Sequence, residues 1–381
     1  MRFALTLQAL VGAVTVSAFA VPRSIEKRLT LIDLKQFGSF PTISPEQAHA
    51  EAEPITGIFG DGPQYTGGKS NNHHGPAVAE EQTTKTGTTQ TAAAGTCDRN
   101  NPNVRFEWRN YSADDRKAFV NAIKCLIDKP SSGNFQGAQN RYEDIVSVHQ
   151  QLTPNIHQRA VFLPWHRYYV SVFESLMREE CGFDRAFPWW DETLDAGKFA
   201  QSDIFTDAYF GPLPGKTSDG QGTCIESGTF GNLTLHVGPG SGFQDHCLAR
   251  AVDESLTGTV TASFVQDCNS RTSYDDMRGC QELGPHAYGH NGVGAVMAEV
   301  QASPGDPIFF MHHLFVDHSF RIWQNADASR TTTINGCADT NNPCTPITMD
   351  YVLTSNGLRP DTTIGNVMDT LGGYLCYRYD Y

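Results

Sequence analysis

Beyond residue 20 the sequence has no long apolar run, and nothing there approaches the roughly 20 apolar residues needed to cross a bilayer, which argues against a membrane protein. An excess of positive charge is also missing. The 28 Lys and Arg stand against 42 Asp and Glu, a formal charge of −14, and such a surface repels nucleic acid. No internal repeat points to a solenoid or array. With 39 % hydrophobic residues the chain can bury a core, so wholesale disorder is excluded as well. The one apolar run is N-terminal: Arg2, then Phe3 to Phe19, then Ala18-Phe19-Ala20 in the manner of a cleavage site. Residues 1–20 therefore read as a signal peptide, and the expected localisation is secreted, extracellular and oxidising.

Cysteine is absent from the first 96 residues, although ten follow: Cys97, Cys125, Cys181, Cys224, Cys247, Cys268, Cys280, Cys337, Cys344 and Cys376. That asymmetry divides the chain. Residues 21–96 contain a dibasic Lys27-Arg28 and a polar run, Thr83 to Thr91, whose composition cannot offset chain entropy by burial. They read as a propeptide or flexible leader; the alternative is an ordered arm over the core, for which Leu29 to Phe40 is mixed enough. Residues 97–381 form the expected core. Short loops suggest pairing Cys268 with Cys280 and Cys337 with Cys344, while Cys97 and Cys376 bracket the core and are placed to tie its ends. Asn110-Tyr111-Ser112 and Asn232-Leu233-Thr234 are glycosylation acceptors and are expected at the surface.

Within the core the clear periods are helical. Ala113 to Ile127, Glu143 to Leu152, Trp165 to Glu180 and Phe309 to Trp323 place apolar residues at helical spacing. Residues 197–285, rich in Gly, Ser, Asp and Pro, read as mostly loop with short elements. The expected fold is mainly α, a small helical core wrapped by long disulfide-braced loops.

Three of the thirteen histidines, His49, His73 and His74, fall in the leader and read as solvated bystanders. Others cluster: His149, His157 and His166 within 18 residues, then His286, His290, His312, His313 and His318 within 33. A helix opened by Gly284-Pro285 would project His286 and His290 from one face, one turn apart, where they can share a metal. Ala287 stands where the zincin motif needs a glutamate, which disfavours a zinc hydrolase. Imidazole sets without thiolate or paired carboxylate suit copper, zinc or iron, and two sets of three suggest two metals between facing helices.

The same segments carry a resemblance. His149-x7-His157-x8-His166 with Leu163-Pro164-Trp165-His166-Arg167, then His286-x3-His290, then Asp306 to His313 with Asp317 and Trp323, resemble the tyrosinase/catechol oxidase family of type-3 copper proteins, in particular its short secreted fungal members. Val104 to Arg109, Pro188-Trp189-Trp190-Asp191 and Tyr377-Arg378-Tyr379 resemble further motifs of that family, so the likeness spans the core. It implies a four-helix bundle holding two copper ions, His149, His157 and His166 on the first and His286, His290 and His313 on the second. His312 becomes a neighbour of the site, although spacing alone would not choose between adjacent histidines. Asp306 and Asp317 are candidates for orienting imidazole N–H groups, with a helix cap and a surface ion pair as their plainer roles.

The implied reaction is oxidation of o-diphenols, and of some monophenols, to o-quinones with reduction of O2 to water. Two copper ions can each change charge by one electron, which zinc cannot. Small phenols and O2 are thus the expected partners, with oligomeric state left open. Three further residues are candidates for the chemistry. Glu282 resembles the family's water-holding glutamate or is a solvated loop carboxylate. Asn291 takes the place of the asparagine that several tyrosinases carry where Ala287 stands, or it merely bonds the helix end. Val300 resembles the residue gating the first copper, or is core packing. Asn155 occupies the position of a cysteine that crosslinks His157 in relatives, so no thioether is expected. An o-aminophenol or substituted-phenol oxidase is the enzymatic alternative, and a hemocyanin-like O2 carrier the remote one.

Overall fold

Local signals at the chain level set the helices. In the computed structural model, which describes residues 31–54, 99–100 and 102–381, helix α1 (Ala113–Asp128) starts where the Ser112 hydroxyl accepts the Asp115 N–H. It buries Phe119, Val120, Ile123 and Leu126, the stripe that its spacing marks. Helix α2 (Arg141–Ile156) is capped by Asn140 and runs past the expected end at Leu152, through Pro154. Proline removes one N–H there, a tolerable loss so close to the helix end. Helix α3 (Phe162–Cys181) carries Pro164 in its first turn, where the missing N–H has no intrahelical partner anyway, and stops at Gly182 with φ 64°.

The long segment 197–285 is mostly loop with short elements, as expected. Helices α4 (Ala262–Asn269) and α5 (Tyr274–Gln281) open at Thr261 and Ser273 caps. A wide turn, Glu282–His286, follows; it is broken at Gly284 (φ −101°, ψ −112°) and leads into α6 (Ala287–Val293). Helix α7 (Ile308–Asn325) completes the set. Helices α2, α3, α6 and α7 surround the histidines, as the bundle expectation requires. No helix of the described residues is long and apolar enough to cross a membrane.

Strand β1 (Asn103–Glu107) lies between β2 (Pro188–Trp189) and β3 (Tyr377–Tyr379), parallel to both, with Phe106 opposite Pro188 and Val104 opposite Arg378. Among the described residues, disulfides join Cys125–Cys181, Cys224–Cys247, Cys268–Cys280 and Cys337–Cys344. Both short-loop pairings are among them. Cys125–Cys181 fastens α1 to the end of α3 and Cys268–Cys280 fastens α4 to α5, so two braces join helices and not loops. Cys376 is disulfide-bonded, and the proposed partner Cys97 lies outside the described residues. So do the signal peptide, Lys27-Arg28 and the Thr83–Thr91 run. Asn110 and Asn232 are exposed.

Part of the segment read as a flexible leader is laid on the core, as in the ordered-arm alternative. Residues 31–54 form an arm whose short helix (Pro45–Ala50) opens with Ser44 and Gln47 capping each other reciprocally. Ala48 is fully buried and packs with Phe264 and the Cys268–Cys280 pair. Arg271 donates to the Ala48 carbonyl and to Glu51, and the Glu53 N–H donates to the Ser270 hydroxyl.

Candidate metal centre

The first set is built from two helices and the turn between them. His149 projects from the middle of α2, His157 stands just past its end, and His166 lies in the first turns of α3. In each ring Nδ1 faces a backbone carbonyl: Gln301 at 2.8 Å, Thr153 at 3.3 Å and Phe162 at 2.8 Å respectively. A carbonyl only accepts, so each Nδ1 carries the proton and each Nε2 keeps its lone pair. Those three Nε2 atoms are buried without a hydrogen-bond partner. One ligand atom from each residue lies within 4.8 Å of the others.

The second set draws on α6, the turn before it and α7. His286 donates Nδ1–H to the Glu282 carbonyl (2.9 Å) and His290 to the Met297 carbonyl (2.7 Å). The rings of this i, i+4 pair are 4.6 Å apart, as the sequence spacing requires. His312 and His313 join them within the same 4.8 Å limit. The two differ in support. His312 Nδ1 meets the Glu192 carboxylate at 2.7 Å, whereas His313 Nδ1 has no partner and its Nε2 approaches His290 Nε2 at 3.2 Å. Because His290 has its proton on Nδ1, its Nε2 lone pair accepts from His313 Nε2–H.

The sets face each other: His166 stacks on His313 (4.4 Å) and His157 lies 6.2 Å from His286. Burial, reinforced in all but His157 by neighbouring imidazoles, holds His149, His166, His286, His290 and His313 well below the ordinary histidine range, and burial lowers His157 to about 4. Neutral imidazoles converging through buried nitrogens fit two soft or borderline metal ions. Carboxylates do not enter the donor set, which disfavours calcium or magnesium. His318 belongs to neither set; it stacks on Trp189 and bonds the Tyr381 carbonyl. His49 lies on the arm beside Asp267, largely exposed, while His73 and His74 are outside the described residues.

The aspartates expected to orient imidazoles do other work. Asp306 forms a two-point pair with Arg250 (2.7 and 2.8 Å) and accepts the Ile308 N–H at the start of α7. Asp317, far from being at the surface, is buried among Arg105, Arg167, Tyr377 and Tyr379. Both carboxylates are drawn to buried guanidinium groups, which need charge compensation more than a neutral ring does.

The other candidates lie around the site. Glu282 is buried, with Oε2 accepting from Arg278 (2.7 Å) and Oε1 from the Gln158 N–H (2.5 Å), so it is no solvated loop carboxylate. Burial outweighs these partners and pushes it up to about 7. Val300 lines an open cleft of about 900 Å³ together with His157, Phe37 and Gln301. Asn291 binds the arm: its amide donates to the Phe40 carbonyl (2.8 Å) and accepts the Phe40 N–H (3.2 Å). No free cysteine stands near His157 among the described residues.

Sequence reasoning missed Glu192 and Phe40. Glu192 follows the Pro188-Trp189-Trp190-Asp191 motif and gave no signal of its own. For the arm a signal did exist: Ser44-Pro45-Glu46-Gln47 is a capping box with proline at the first helical position.

Comparison with known proteins places the common central domain of tyrosinase on residues 139–326. An N-acetyl-6-hydroxytryptophan oxidase of Emericella nidulans is 30 % identical over 349 residues, covering 74 % of this chain and 94 % of that protein. A tyrosinase of Aspergillus flavus is 32 % identical over 289 residues, covering 73 % and 80 %. A variant polyphenol oxidase from Thermothelomyces thermophila has a similar structure, with TM-score 0.66 and 28 % identity across 74 % of this chain and 90 % of that one. The fold extends to a deoxygenated hemocyanin from Rapana thomasiana (TM-score 0.52, 21 % identity, 74 % and 70 % covered).

Proposed function

The chain belongs to the tyrosinase family of copper-dependent oxidases, and from that premise we propose that it is a secreted polyphenol oxidase that converts o-diphenols to o-quinones. The observation that carries this reading is the pair of facing, buried histidine sets, in which the Nε2 atoms of His149, His157, His166 and His286 have no hydrogen-bond partner. His149, His157 and His166 would hold one copper and His286, His290 and His313 the other, with His312 kept in place by Glu192. Bound there, the copper pair supplies two-electron exchange between a phenol and O2. An o-diphenol loses two electrons and two protons to become the quinone, and two such turnovers reduce one O2 to water.

The protein's own part is to hold and to admit. Backbone carbonyls fix five ligand tautomers before metal arrives, so binding needs no ring flip. The cleft lined by His157 and Val300 gives small molecules a way to the first set, which favours an enzyme over an O2 carrier. Glu282 anchors the backbone after His157 by accepting the Gln158 N–H. Secretion is supported by the N-terminal sequence and the disulfides.

A second reading, a substituted-phenol or o-aminophenol oxidase, is favoured by the hydroxyindole substrate in the Emericella nidulans relative's name. Copper-loaded protein should contain two copper ions per chain and take up O2 with catechol; comparison with tyrosine and 2-aminophenol separates the readings. Failure to retain copper, or no uptake on any phenol, would overturn the oxidase assignment.

A further inference from the structure

The segment 297–302 supports one histidine of each set through its backbone. The Met297 carbonyl accepts His290 Nδ1–H at 2.7 Å, and the Gln301 carbonyl accepts His149 Nδ1–H at 2.8 Å. Between them in sequence stands Glu299, whose carboxyl is buried. Its Oε1 accepts the Gln301 N–H at 2.9 Å and its Oε2 the Ala302 N–H at 2.8 Å, and the Gly240 N–H donates to it as well. Gly240 is in turn bound from α2, since the Gln150 amide, next to His149, donates to the Gly240 and Gly242 carbonyls (2.8 and 2.9 Å). Burial pushes the Glu299 carboxyl above its ordinary range, against the pull of its three N–H donors.

The Gln301 carbonyl and the Ala302 N–H belong to one peptide unit. A carboxylate that accepts the N–H pushes electron density toward the carbonyl oxygen, because linked hydrogen bonds polarise one another in a low dielectric. That oxygen then accepts more strongly from His149. A stronger acceptor on Nδ1 makes an imidazole a better donor at Nε2, the effect a carboxylate has when it bonds a ligating histidine directly. The other carbonyl-held rings have no such support. Thr153 is followed by Pro154, so the peptide that accepts from His157 has no N–H, and that contact is longer, 3.3 Å. Among the described residues, no carboxylate side chain accepts the N–H of the peptide at the Phe162, Glu282 or Met297 carbonyl. Resting on the ligand assignment above, we infer that Glu299 is a positioning residue that acts on His149 through the 301–302 peptide. It fixes the His149 tautomer and raises its donor strength, so that the first set holds its copper more tightly than backbone carbonyls alone would allow.

Glu299→Gln tests this in the full chain, because it keeps the shape and one accepting oxygen and removes the charge. In metal-free protein isotope-labelled at histidine and alanine, the nuclear resonances of the His149 Nδ1–H and Ala302 N–H protons should both move upfield in the variant. The His290 Nδ1–H proton, held by the same segment through Met297, should stay in place. In a chelator competition, one of the two copper ions should be lost at roughly tenfold lower free chelator than in the parent, and the other should be unchanged. Unchanged proton shifts, or unchanged copper release, overturns the proposal. So does an upfield move of His290 as large as that of His149, or an equal weakening of both copper ions, since either reports a displaced segment. If the variant does not fold, the parent decides by itself: its His149 Nδ1–H should lie downfield of those of His166 and His286, whose contacts are of nearly the same length (2.8 and 2.9 Å). Equal or reversed positions overturn the proposal. A parent that retains no copper overturns the ligand assignment, and the metal-free shifts still decide whether Glu299 reaches His149.

Discussion

Adjacent histidines on α7 differ in which nitrogen is left open: His312 has Nδ1 on Glu192 and an unpartnered Nε2, while His313 has an unpartnered Nδ1 and its Nε2 on His290. The family resemblance assigns the copper to His313, and copper counts decide between the two. With His313 as the ligand, His313→Ala should retain about one of two copper ions by elemental analysis, and His312→Ala should keep both; the reverse pattern would exchange their roles. Glu192→Ala leaves a buried imidazole nitrogen unpaired and should cost about 1–3 kcal/mol in urea unfolding. His157→Ala or His290→Ala should likewise lose about one copper ion and abolish O2 uptake, and full turnover would refute their assignment. The histidines were legible because metal sets leave a spacing pattern. Their Nδ1 acceptors were not, because Gln301, Thr153, Phe162 and Met297 act through backbone carbonyls that every residue possesses.

At the level of elements, the turn between α5 and α6 sets His286, and two substitutions probe it. A Cβ at Gly284 would lie 2.7 Å from the Phe264 ring, which is itself buried under the arm, so Gly284→Ala should overpack this joint by about 1–3 kcal/mol and lower the melting temperature. Glu282 links the same turn to the loop after His157. Its folded-state value of about 7 exceeds the usual 4.5, so between those values the folded chain holds a proton that the unfolded chain has released. Stability from this group therefore falls as pH rises from about 4.5 to 7. Urea unfolding of metal-free protein at pH 5 and 7.5 should show a smaller loss in Glu282→Gln than in the parent. Most helices could be read from apolar spacing, and α1 began where its period did. Helix α2 outran its reading because Pro154 looks like a stop, and the arm escaped because its grip depends on Asn291, 251 residues away from Phe40, with no periodicity between them.

Across the whole molecule, the ends of the core are locked by charge. Asp317 on α7 receives Arg167 from α3, Arg105 from β1 and the hydroxyls of Tyr377 and Tyr379 from β3. Asp317→Ala would leave the buried Arg167 guanidinium without a carboxylate, while Arg105 keeps Glu174, and should cost about 3–5 kcal/mol, read as a lower urea midpoint with the copper ligands untouched. Motif resemblance flagged each of these segments separately. That they meet at one carboxylate was not legible, since nothing in a linear pattern says which distant residues share a partner. The sheet that brings them together also imposes a timetable on synthesis. Strand β1 sits in the middle, so its outer neighbour β3 leaves the ribosome some 270 residues after it, and Arg105 waits that long for Tyr379. The histidine helices are complete well before that last strand arrives. A nascent chain thus passes through an interval in which every metal-binding side chain exists but the lock is open.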